Sequence, residues 1–265
     1  MMLIDLYCPD CLAELVTRGK DAIESMEPIT SIVNELHNDG IYTVHCPKGH
    51  EGKVVLKNLN FELLFDWGIN AIGDGYYRDA VSSFASALER FYEFFIKTVW
   101  RINGATFDVI DKNWKELSSQ SERQLGAYIA AYCSLFCEVT PVMNNNDKNF
   151  RNNVIHKGEI PTRDKVVSFA NNVLRLIDEP LGKLQAGYMD KIKDTYEHYS
   201  PQLISTDEKE NILTINHLTI ISATSILEDD DQRQNRNVDN LVEMVMQDRC
   251  EKKLRLVDNV DEKCH

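Results

Sequence analysis

Apolar residues recur every three or four positions over most of the middle of the chain, which predicts a series of amphipathic helices. The predicted helices cover residues 57–73, 76–100, 114–137 and 162–179. The third pattern is interrupted near Ser118, so it is expected to break there. Short connections between such helices favour antiparallel neighbours, and we therefore expect a compact bundle of four or five helices.

The first 56 residues show a different pattern. Residues 41–44 and 53–56 are rich in β-branched side chains, and the short stretch between them predicts the tip of a β-hairpin. The preceding residues 21–36 have apolar side chains near helical spacing, which predicts a helix that Pro28 interrupts.

Beyond Pro180 the periodicity weakens. Residues 188–199 are consistent with a further helix, residues 212–221 alternate like one or two strands, and residues 238–257 return to helical spacing. We expect residues 183–265 to form a small α+β appendage, whose role the sequence does not indicate.

Two clusters near the N-terminus have the residue types and spacing of a metal site. They are Cys8-Pro-Asp-Cys11 and His45-Cys46-Pro-Lys-Gly-His50, and each contains a proline or glycine that turns the backbone. The predicted ligands are Cys8, Cys11, Cys46 and His50, because three thiolates and an imidazole form the closed tetrahedral set typical of structural Zn²⁺. His45 is the alternative fourth ligand, but a histidine directly beside a ligating cysteine is poorly placed to bind the same ion. The segment looks like a zinc ribbon, and a metal would stabilise a segment too small to fold by apolar burial alone.

The seven cysteines are an odd number, and their scattered positions suit metal binding and reduced thiols better than a disulfide framework. Cys133 and Cys137 lie one helical turn apart in an apolar setting, and we expect them to be small buried thiols. The chain has no run of about 18 apolar residues and no basic region followed by an apolar run at its N-terminus. We therefore expect no membrane span, no signal peptide and a cytoplasmic location.

The formal net charge of −13 argues against a protein that coats nucleic acid without specificity, because phosphate neutralisation needs Lys and Arg. Basic residues nevertheless concentrate along one stretch, at Lys148, Arg151, Lys157, Arg163 and Lys165. The acidic run 228–231 lies far from that stretch in sequence, and it is expected to be a solvated loop.

Residues 150–158 combine an arginine, amides and a histidine in one short run. At about 100° per residue, a helix places Asn152 and His156 on one face and Arg151 roughly 140° from His156. Arginine offers a cationic fork suited to phosphate, and histidine transfers protons near neutral pH. A structural interpretation is also open, because Gly158 is a typical helix stop and basic residues in a last turn interact favourably with the helix dipole.

The sequence Arg151-Asn152, three further residues, and His156 followed by Lys-Gly resembles the arginine-x4-histidine signature of HEPN domains. The run of residues 77–90 also resembles the first long helix of that family, and the similarity spans roughly residues 60–180. The resemblance gives a predicted fold class that is mainly α, with an HEPN-like antiparallel helical bundle as its main part.

On this basis we expect three consecutive segments. Residues 1–56 form the zinc-ribbon-like segment, residues 57–182 form the HEPN-like helical bundle, and residues 183–265 form the α+β appendage.

The resemblance implies a metal-independent endoribonuclease that acts on RNA as a homodimer with a shared site. His156 would be the general base or acid, Arg151 would stabilise charge on the phosphate, and Asn152 would orient the phosphate or the imidazole. Glu89 would orient Arg151 or His156, and Glu93 is the second candidate for that role. A surface ion pair of Glu89 with Arg90 or Lys97 is the competing interpretation.

Attack by the 2′-hydroxyl would leave a 2′,3′-cyclic phosphate and would need no catalytic cofactor. Ribonucleases of this type often act as toxins or in antiviral defence, so a regulatory protein partner is also expected. The alternative is a non-catalytic module in which the same residues hold a nucleotide or a partner. A subtype that is modified on a tyrosine two residues after the histidine is disfavoured, because Gly158 occupies that position.

Overall fold

The computed structural model describes residues 2–16, 29–33, 39–203, 212–225 and 236–261. Within these ranges the protein is mainly helical and contains a two-stranded and a three-stranded sheet. The chain divides into two compact units, which we call the cysteine unit and the helical unit. The cysteine unit comprises Met1–Leu59, Ser200–Leu218 and Met244–His265, and the helical unit comprises Asn60–Tyr199 and Thr219–Glu243.

Residues 183–265, which the sequence predicts as one appendage, are therefore divided between the two units. The expected solvated loop at 228–231 lies outside the described residues.

The cysteine unit is built on short strands. Its elements are β1 (Met2–Leu6), α1 (Pro9–Val16), β2 (Ile29–Val33), β3 (Ile41–His45), β4 (Glu51–Leu56) and β5 (Ile212–Ile215). Strands β1 and β2 pair antiparallel, β3 and β4 form the predicted hairpin, and β5 pairs parallel to β4. Gly40 begins the hairpin with a φ of +62°, and a Cβ there would lie 2.7 Å from the carbonyl oxygen of Leu56. Only glycine fits this close approach.

The predicted helix over residues 21–36 is wrong where the structure describes this region, because Ile29–Val33 forms strand β2. Four of its five residues are β-branched, which favours a pleated strand over a helix. Pro28, directly before them, further disfavours a continuous helix. The remaining residues of the prediction, 21–28 and 34–36, lie outside the described residues.

The helical unit contains α2 (Asn60–Gly73), α3 (Tyr77–Ile102), α4 (Phe107–Leu117), α5 (Ser121–Phe136), α6 (Asn145–Lys157), α7 (Arg163–Tyr199) and the start of α8 (Val238–Asp261). Helix α3 is central and contacts α2, α4, α5, α6 and α7. Its apolar face is aromatic, and Phe84 packs on Phe65 with ring centroids 5.0 Å apart. Gly68 makes room for this contact, since a Cβ there would lie 2.6 Å from the Phe84 ring. The predicted helices of the bundle are confirmed, and the expected break near Ser118 separates α4 from α5. The start predicted at residue 114 is wrong, because α4 already begins at Phe107.

The predicted end of the last bundle helix near Pro180 is wrong, because α7 continues through this proline to Tyr199. Proline removes a backbone donor and normally ends or kinks a helix. Here Pro180, Leu181 and Leu184 are all buried, and this apolar burial offsets the lost hydrogen bond. The departure from helical geometry comes two turns later, at Tyr188, with φ −142° and ψ 32°.

Two buried carboxyl groups on α2 anchor the irregular residues 219–225. Glu62 accepts a hydrogen bond from the backbone N–H of Ala223 at 2.7 Å, and Asp66 accepts one from that of Ile220 at 3.1 Å. A segment without regular structure needs such side-chain partners for its buried backbone groups. Burial raises the pKa of Asp66 to about 8, and the nearby carboxylate of Glu62 adds to that rise against the opposing hydrogen bond from Ile220.

Candidate functional site

Four side chains of the cysteine unit meet in a group that could hold a metal ion. They are Cys8, Cys11, Cys46 and His50, which we call the cysteine–histidine cluster, and their ligand atoms all lie within 4.8 Å of one another. The three cysteines are buried and the histidine is half-buried. The structure therefore brings together the four residues that the sequence predicts as ligands.

The distances within the cluster fit a tetrahedral zinc site. Bonds of about 2.3 Å from zinc to sulfur and about 2.0–2.1 Å to nitrogen give edges of about 3.8 Å between sulfurs and about 3.6 Å between sulfur and nitrogen. The Sγ atoms of Cys11 and Cys46 are 3.9 Å apart. The Nδ1 atom of His50 lies 3.8 Å from Cys8 Sγ and 3.4 Å from Cys11 Sγ. Both the donor set and its spacing are compatible with structural zinc.

The first pair of cysteines lies where β1 passes into α1. Pro9 occupies the first position of the helix, where its missing N–H and fixed φ are favourable. The carbonyl of Cys8 accepts a hydrogen bond from Leu12 at 3.0 Å, so the first turn brings Cys11 back towards Cys8.

The second pair lies at the tip of the β3–β4 hairpin. The backbone N–H of Cys46 donates to the carbonyl of His50 at 3.0 Å, and Gly49 donates to the carbonyl of Cys46 at 2.9 Å. Gly49 has a φ of +86°, a conformation that glycine adopts without strain. His45, the alternative ligand, has a side chain that is 70% exposed, faces Glu51 and lies outside the cluster.

The thiols of the cluster have unequal acidity. Burial raises the pKa of Cys11 to about 12. Burial also opposes ionisation of Cys46, but hydrogen bonds from the backbone of His50 and Lys48 outweigh it and lower the pKa of this thiol to about 7. A divalent cation in the centre would favour the thiolate form of every cysteine in the cluster.

The prediction that Cys133 and Cys137 are buried thiols is wrong, because both are exposed. Helix α5 buries Tyr128 and Tyr132 against α3 instead, and the two cysteines lie away from that contact. Cys137 caps the helix in a left-handed conformation with φ 55°.

The arginine–histidine motif, which we define as Arg151, Asn152 and His156, lies on α6. Asn144 caps the start of this helix by accepting a hydrogen bond from the N–H of Asp147 at 3.0 Å. Gly158, with a φ of +75°, ends it. Val154 is buried and anchors the helix, whereas Asn152 and His156 are exposed.

Arg151 pairs with Glu89 of α3. The Nη2 atom of Arg151 lies 2.8 Å from Glu89 Oε1, and its Nη1 atom donates to Asn152 Oδ1 at 3.1 Å. The arginine and glutamate side chains are 28% and 36% exposed, so the pair is reached by solvent. Glu89 therefore contacts the motif arginine, which is one of the two arrangements that the sequence leaves open.

Glu93, the second candidate, has other partners. It pairs with Arg90 and with Lys97, whose Nζ atom lies 2.6 Å from Glu93 Oε1. Arg90 and Lys97 are the alternative ion-pair partners that the sequence analysis considers for Glu89. The two glutamates of α3 thus have different cationic partners.

Arg78 is a neighbour of the motif that sequence reasoning missed. It donates from the start of α3 to the carbonyls of Val154 and Ile155, both at 3.5 Å. These carbonyls belong to the last turn of α6, where the helix itself supplies no donors. Arg78 therefore helps to hold the turn that carries His156.

A cavity of about 280 Å³ opens beside Arg151 in the helical unit. It is lined by Ala85, Leu88, Glu89, Tyr92, Ser121, Glu122, Gln124, Leu125, Met143, Lys148, Arg151 and Asn152. His156 is not among these lining residues. The motif thus presents Arg151 and Asn152 to the cavity and His156 to solvent.

The basic residues around the motif are not equivalent. Arg163 pairs with Asp239 at 2.7 Å and Lys165 pairs with Glu159 at 3.2 Å. Within the described ranges, Lys148 and Lys157 form no ion pair. These two ammonium groups are therefore available to an external anion.

Comparisons with known proteins add no relative: no family model, no curated protein and no solved structure matches this chain. Among the described residues, no helix combines the length and the apolar character that a membrane span requires. The fold and the sites thus define a mainly helical protein with a cysteine–histidine cluster that could hold a metal ion.

Proposed function

We propose that this protein is a metal-independent endoribonuclease of the HEPN type, acting on RNA as a homodimer. The observation that carries the proposal is the placement of Arg151, held by Glu89 at 2.8 Å beside an open cavity and on the same helix as an exposed His156. The three side chains come from positions that the resemblance assigns to a ribonuclease site.

The proposed reaction uses the nucleophile that RNA itself carries. A base removes the proton of the 2′-hydroxyl, the oxygen attacks the adjacent phosphorus, and the bond from phosphorus to the 5′-oxygen breaks as an acid protonates that oxygen. The products end in a 2′,3′-cyclic phosphate and a 5′-hydroxyl. DNA lacks the attacking group, so it is not a substrate.

One imidazole does not serve as base and acid at the same moment. Two copies of the chain related by a twofold axis would bring two His156 side chains to one phosphate, one neutral and one protonated. Exposure of His156 is what such a shared site requires, because a buried imidazole could not reach a linkage held between copies.

In this site Arg151 stabilises the charge that builds on the phosphate oxygens. The guanidinium has five N–H donors in a fixed fork, so pairing with Glu89 leaves donors free for a phosphate. Glu89 acts as a positioning residue that limits the rotamers of the arginine. Asn152 extends the same donor surface, and Lys157 adds local positive charge that draws RNA to an acidic protein.

We also propose that the cysteine–histidine cluster binds zinc in a zinc-ribbon-like segment, where the ion is structural. The helical unit then corresponds to an HEPN-like bundle. We place the enzyme in the cytoplasm as a toxin or an antiviral effector, held in check by a regulatory partner.

The decisive experiment compares the wild type with His156→Ala and Arg151→Ala on structured and single-stranded RNA. Reactions contain EDTA, with the zinc content of the protein verified, and products are tested for a 2′,3′-cyclic phosphate. We expect each variant to lose activity by about 10²-fold or more, the range for removing an acid–base group. His45→Ala serves as the matched control, because this exposed histidine lies outside both sites. Equal cleavage by all four proteins would eliminate the proposed site.

A second candidate is a non-catalytic module that binds a nucleotide or a partner. The observation in its favour is that Arg151 and Asn152 line the cavity, whereas His156 does not. Stable nucleotide binding by the wild type, with no turnover of RNA, would support this function instead.

A further inference from the structure

We propose that the cavity beside Arg151 binds a nucleobase that carries an exocyclic amino group, with Glu122 reading that group. The base would belong to the RNA strand next to the cleaved linkage. This inference rests on the proposed function, which it deepens by naming what the site recognises.

The walls of the cavity suit a flat ring. Its apolar side chains are Ala85, Leu88, Tyr92, Leu125 and Met143, contributed by α3, α5 and the residue run before α6. The first three lie at the helical spacing that places them on one face of α3. Apolar and aromatic walls of this kind take up the faces of an unstacked base.

The aromatic wall is fixed before any ligand arrives. Tyr92 stacks on Tyr128 with ring centroids 4.2 Å apart and an interplanar angle of 25°, and Tyr128 is fully buried. Gln124 is held as well, because it donates to the carbonyl of Ser118 at 3.0 Å and accepts from Arg90 at 3.4 Å. A base would therefore enter a cavity whose walls need little reordering, which favours binding.

The polar groups of the lining explain which base is favoured. The carboxylate of Glu89 is occupied by Arg151, whereas that of Glu122 is exposed and has Ser121 as its hydrogen-bond donor at 3.5 Å. An ionised carboxylate only accepts hydrogen bonds, so Glu122 favours a base edge that donates. Adenine, cytosine and guanine carry an amino group, and uracil carries none.

The cations of the lining explain why the ligand is a nucleotide and not an apolar molecule. Lys148 and Arg151 are three residues apart on α6, so their side chains emerge on neighbouring positions of one face. Lys148 forms no ion pair with any described residue. With the base inside the cavity, Lys148 and Arg151 at its lining can contact the phosphates on the two sides of that nucleotide.

The experiment measures binding to RNA trinucleotides whose 2′-hydroxyls are methylated, so that no cleavage can occur. The set contains each of the four bases or an abasic sugar at the central position. We expect the wild type to bind the amino-bearing bases about tenfold more tightly than uracil or the abasic sugar, within the range for a good base contact. Free nucleoside monophosphates are measured in parallel, and weaker binding of these shows that the strand is the ligand.

Two variants test the assignment. Leu125→Trp fills the cavity and should abolish the preference for a base over the abasic sugar. Ala130→Trp, at an exposed position of the same helix roughly 140° around it from Leu125, should not. Glu122→Gln keeps the shape of the cavity and should reduce the preference for amino-bearing bases over uracil to less than about threefold, a third of the expected effect. Glu116→Gln, an exposed acid of α4, is its control.

Equal affinity for all five trinucleotides, or a wild-type profile for Leu125→Trp, would overturn the inference. Tighter binding of free monophosphates than of the strand would overturn the assignment to RNA. Cleavage that depends on His156 but shows no base preference would leave the nuclease proposal standing and reject the cavity assignment. Base preference without cleavage would leave the cavity assignment standing and reject the nuclease proposal.

Discussion

The cysteine–histidine cluster and the arginine–histidine motif are both groups of polar side chains, but they differ in burial. In the cluster, three of four ligands are buried and all the ligand atoms face one another within 4.8 Å. In the motif, Asn152 and His156 are exposed, and Arg151 pairs with Glu89 where solvent reaches both side chains. The ligand atoms of a buried group point at one central position, which a single ion can fill. The side chains of an exposed group can still form hydrogen bonds with a molecule that arrives from solvent. On the functions proposed above, the cluster would serve stability and the motif would serve chemistry.

The largest expected effect comes from breaking the cluster. Cys8→Ser and Cys46→Ser should lower the zinc content from about one ion per chain to near zero and unfold the cysteine unit, because structural zinc contributes about 10–16 kcal/mol in small domains. Atomic emission spectroscopy measures the metal, and circular dichroism follows the fold. Cys133→Ser, at an exposed thiol, is the control and should keep both. Full zinc occupancy in Cys46→Ser would contradict the assignment of Cys46 as a metal ligand.

The next effect sharpens the difference between the two glutamates of α3. Glu89→Gln should lower the cleavage rate by about tenfold with little loss of stability, because a pair that solvent reaches contributes only about 0–1 kcal/mol. Glu93→Gln, four residues away, removes the partner of the buried Lys97 and should lower the melting temperature while leaving cleavage unchanged. Steady-state kinetics measure the cleavage rate of both variants, and thermal melting measures their stability. Loss of activity in Glu93→Gln alone would reverse the assignment.

A smaller effect concerns the buried carboxyl of Asp66. Its pKa rises from 3.8 in the unfolded reference to about 8 in the fold, so the folded state binds the additional proton between these values. Stability should therefore fall as the pH rises through this window, by at most about 1.4 kcal/mol per pH unit for one group. Asp66→Asn can still accept the hydrogen bond from Ile220, and it should flatten this slope.

Thermal melting between about pH 5 and 8 measures that slope, within the window that the two pKa values of Asp66 set. The exposed Asp108 provides the control, and Asp108→Asn should leave the slope unchanged. An identical slope in Asp66→Asn would show that other groups carry the pH dependence.

The smallest effect is expected at the surface of the cluster. Lys48 and Glu14 form an ion pair at 3.5 Å, with side chains that are 63% and 49% exposed. Lys48→Gln should leave the zinc content unchanged and alter stability by less than about 1 kcal/mol, because exposed pairs are weak. Zinc loss in this variant would mean that charge outside the cluster, and not the buried ligands, controls the metal.

Local patterns in the sequence were sufficient for much of this structure. The aromatic stripe of α3 and the hairpin around Cys46 follow from periodicity and turn residues, because each depends on neighbours along the chain. The grouping of the cysteine–histidine cluster follows from ligand type and spacing. The contact of Glu89 with Arg151 was one of two open arrangements, and the resemblance, not the spacing, suggested it.

The features that sequence reasoning missed depend on distant partners. Residues 29–33 form a strand because β1 pairs with them, and α7 passes Pro180 because its apolar neighbours are buried. Cys133 and Cys137 face outward because the tyrosines of α5 occupy the contact with α3. The cavity gathers residues from three helices, so no single stretch of sequence reveals it.

The parallel pairing of β4 with β5 has a consequence for biosynthesis. Residues 51–56 leave the ribosome long before residues 212–215, so the sheet stays one strand short through most of translation. The partner of Asn58 is also synthesised late. The side-chain amide of Asn58 donates to the carbonyl of His217 at 2.9 Å and accepts a hydrogen bond from the N–H of His217 at 2.7 Å. Contacts so distant in sequence form slowly and expose an open strand edge meanwhile. The nascent chain therefore carries an unpaired β4 edge past the synthesis of the entire bundle, and until β5 is made that edge is a template for pairing with other chains.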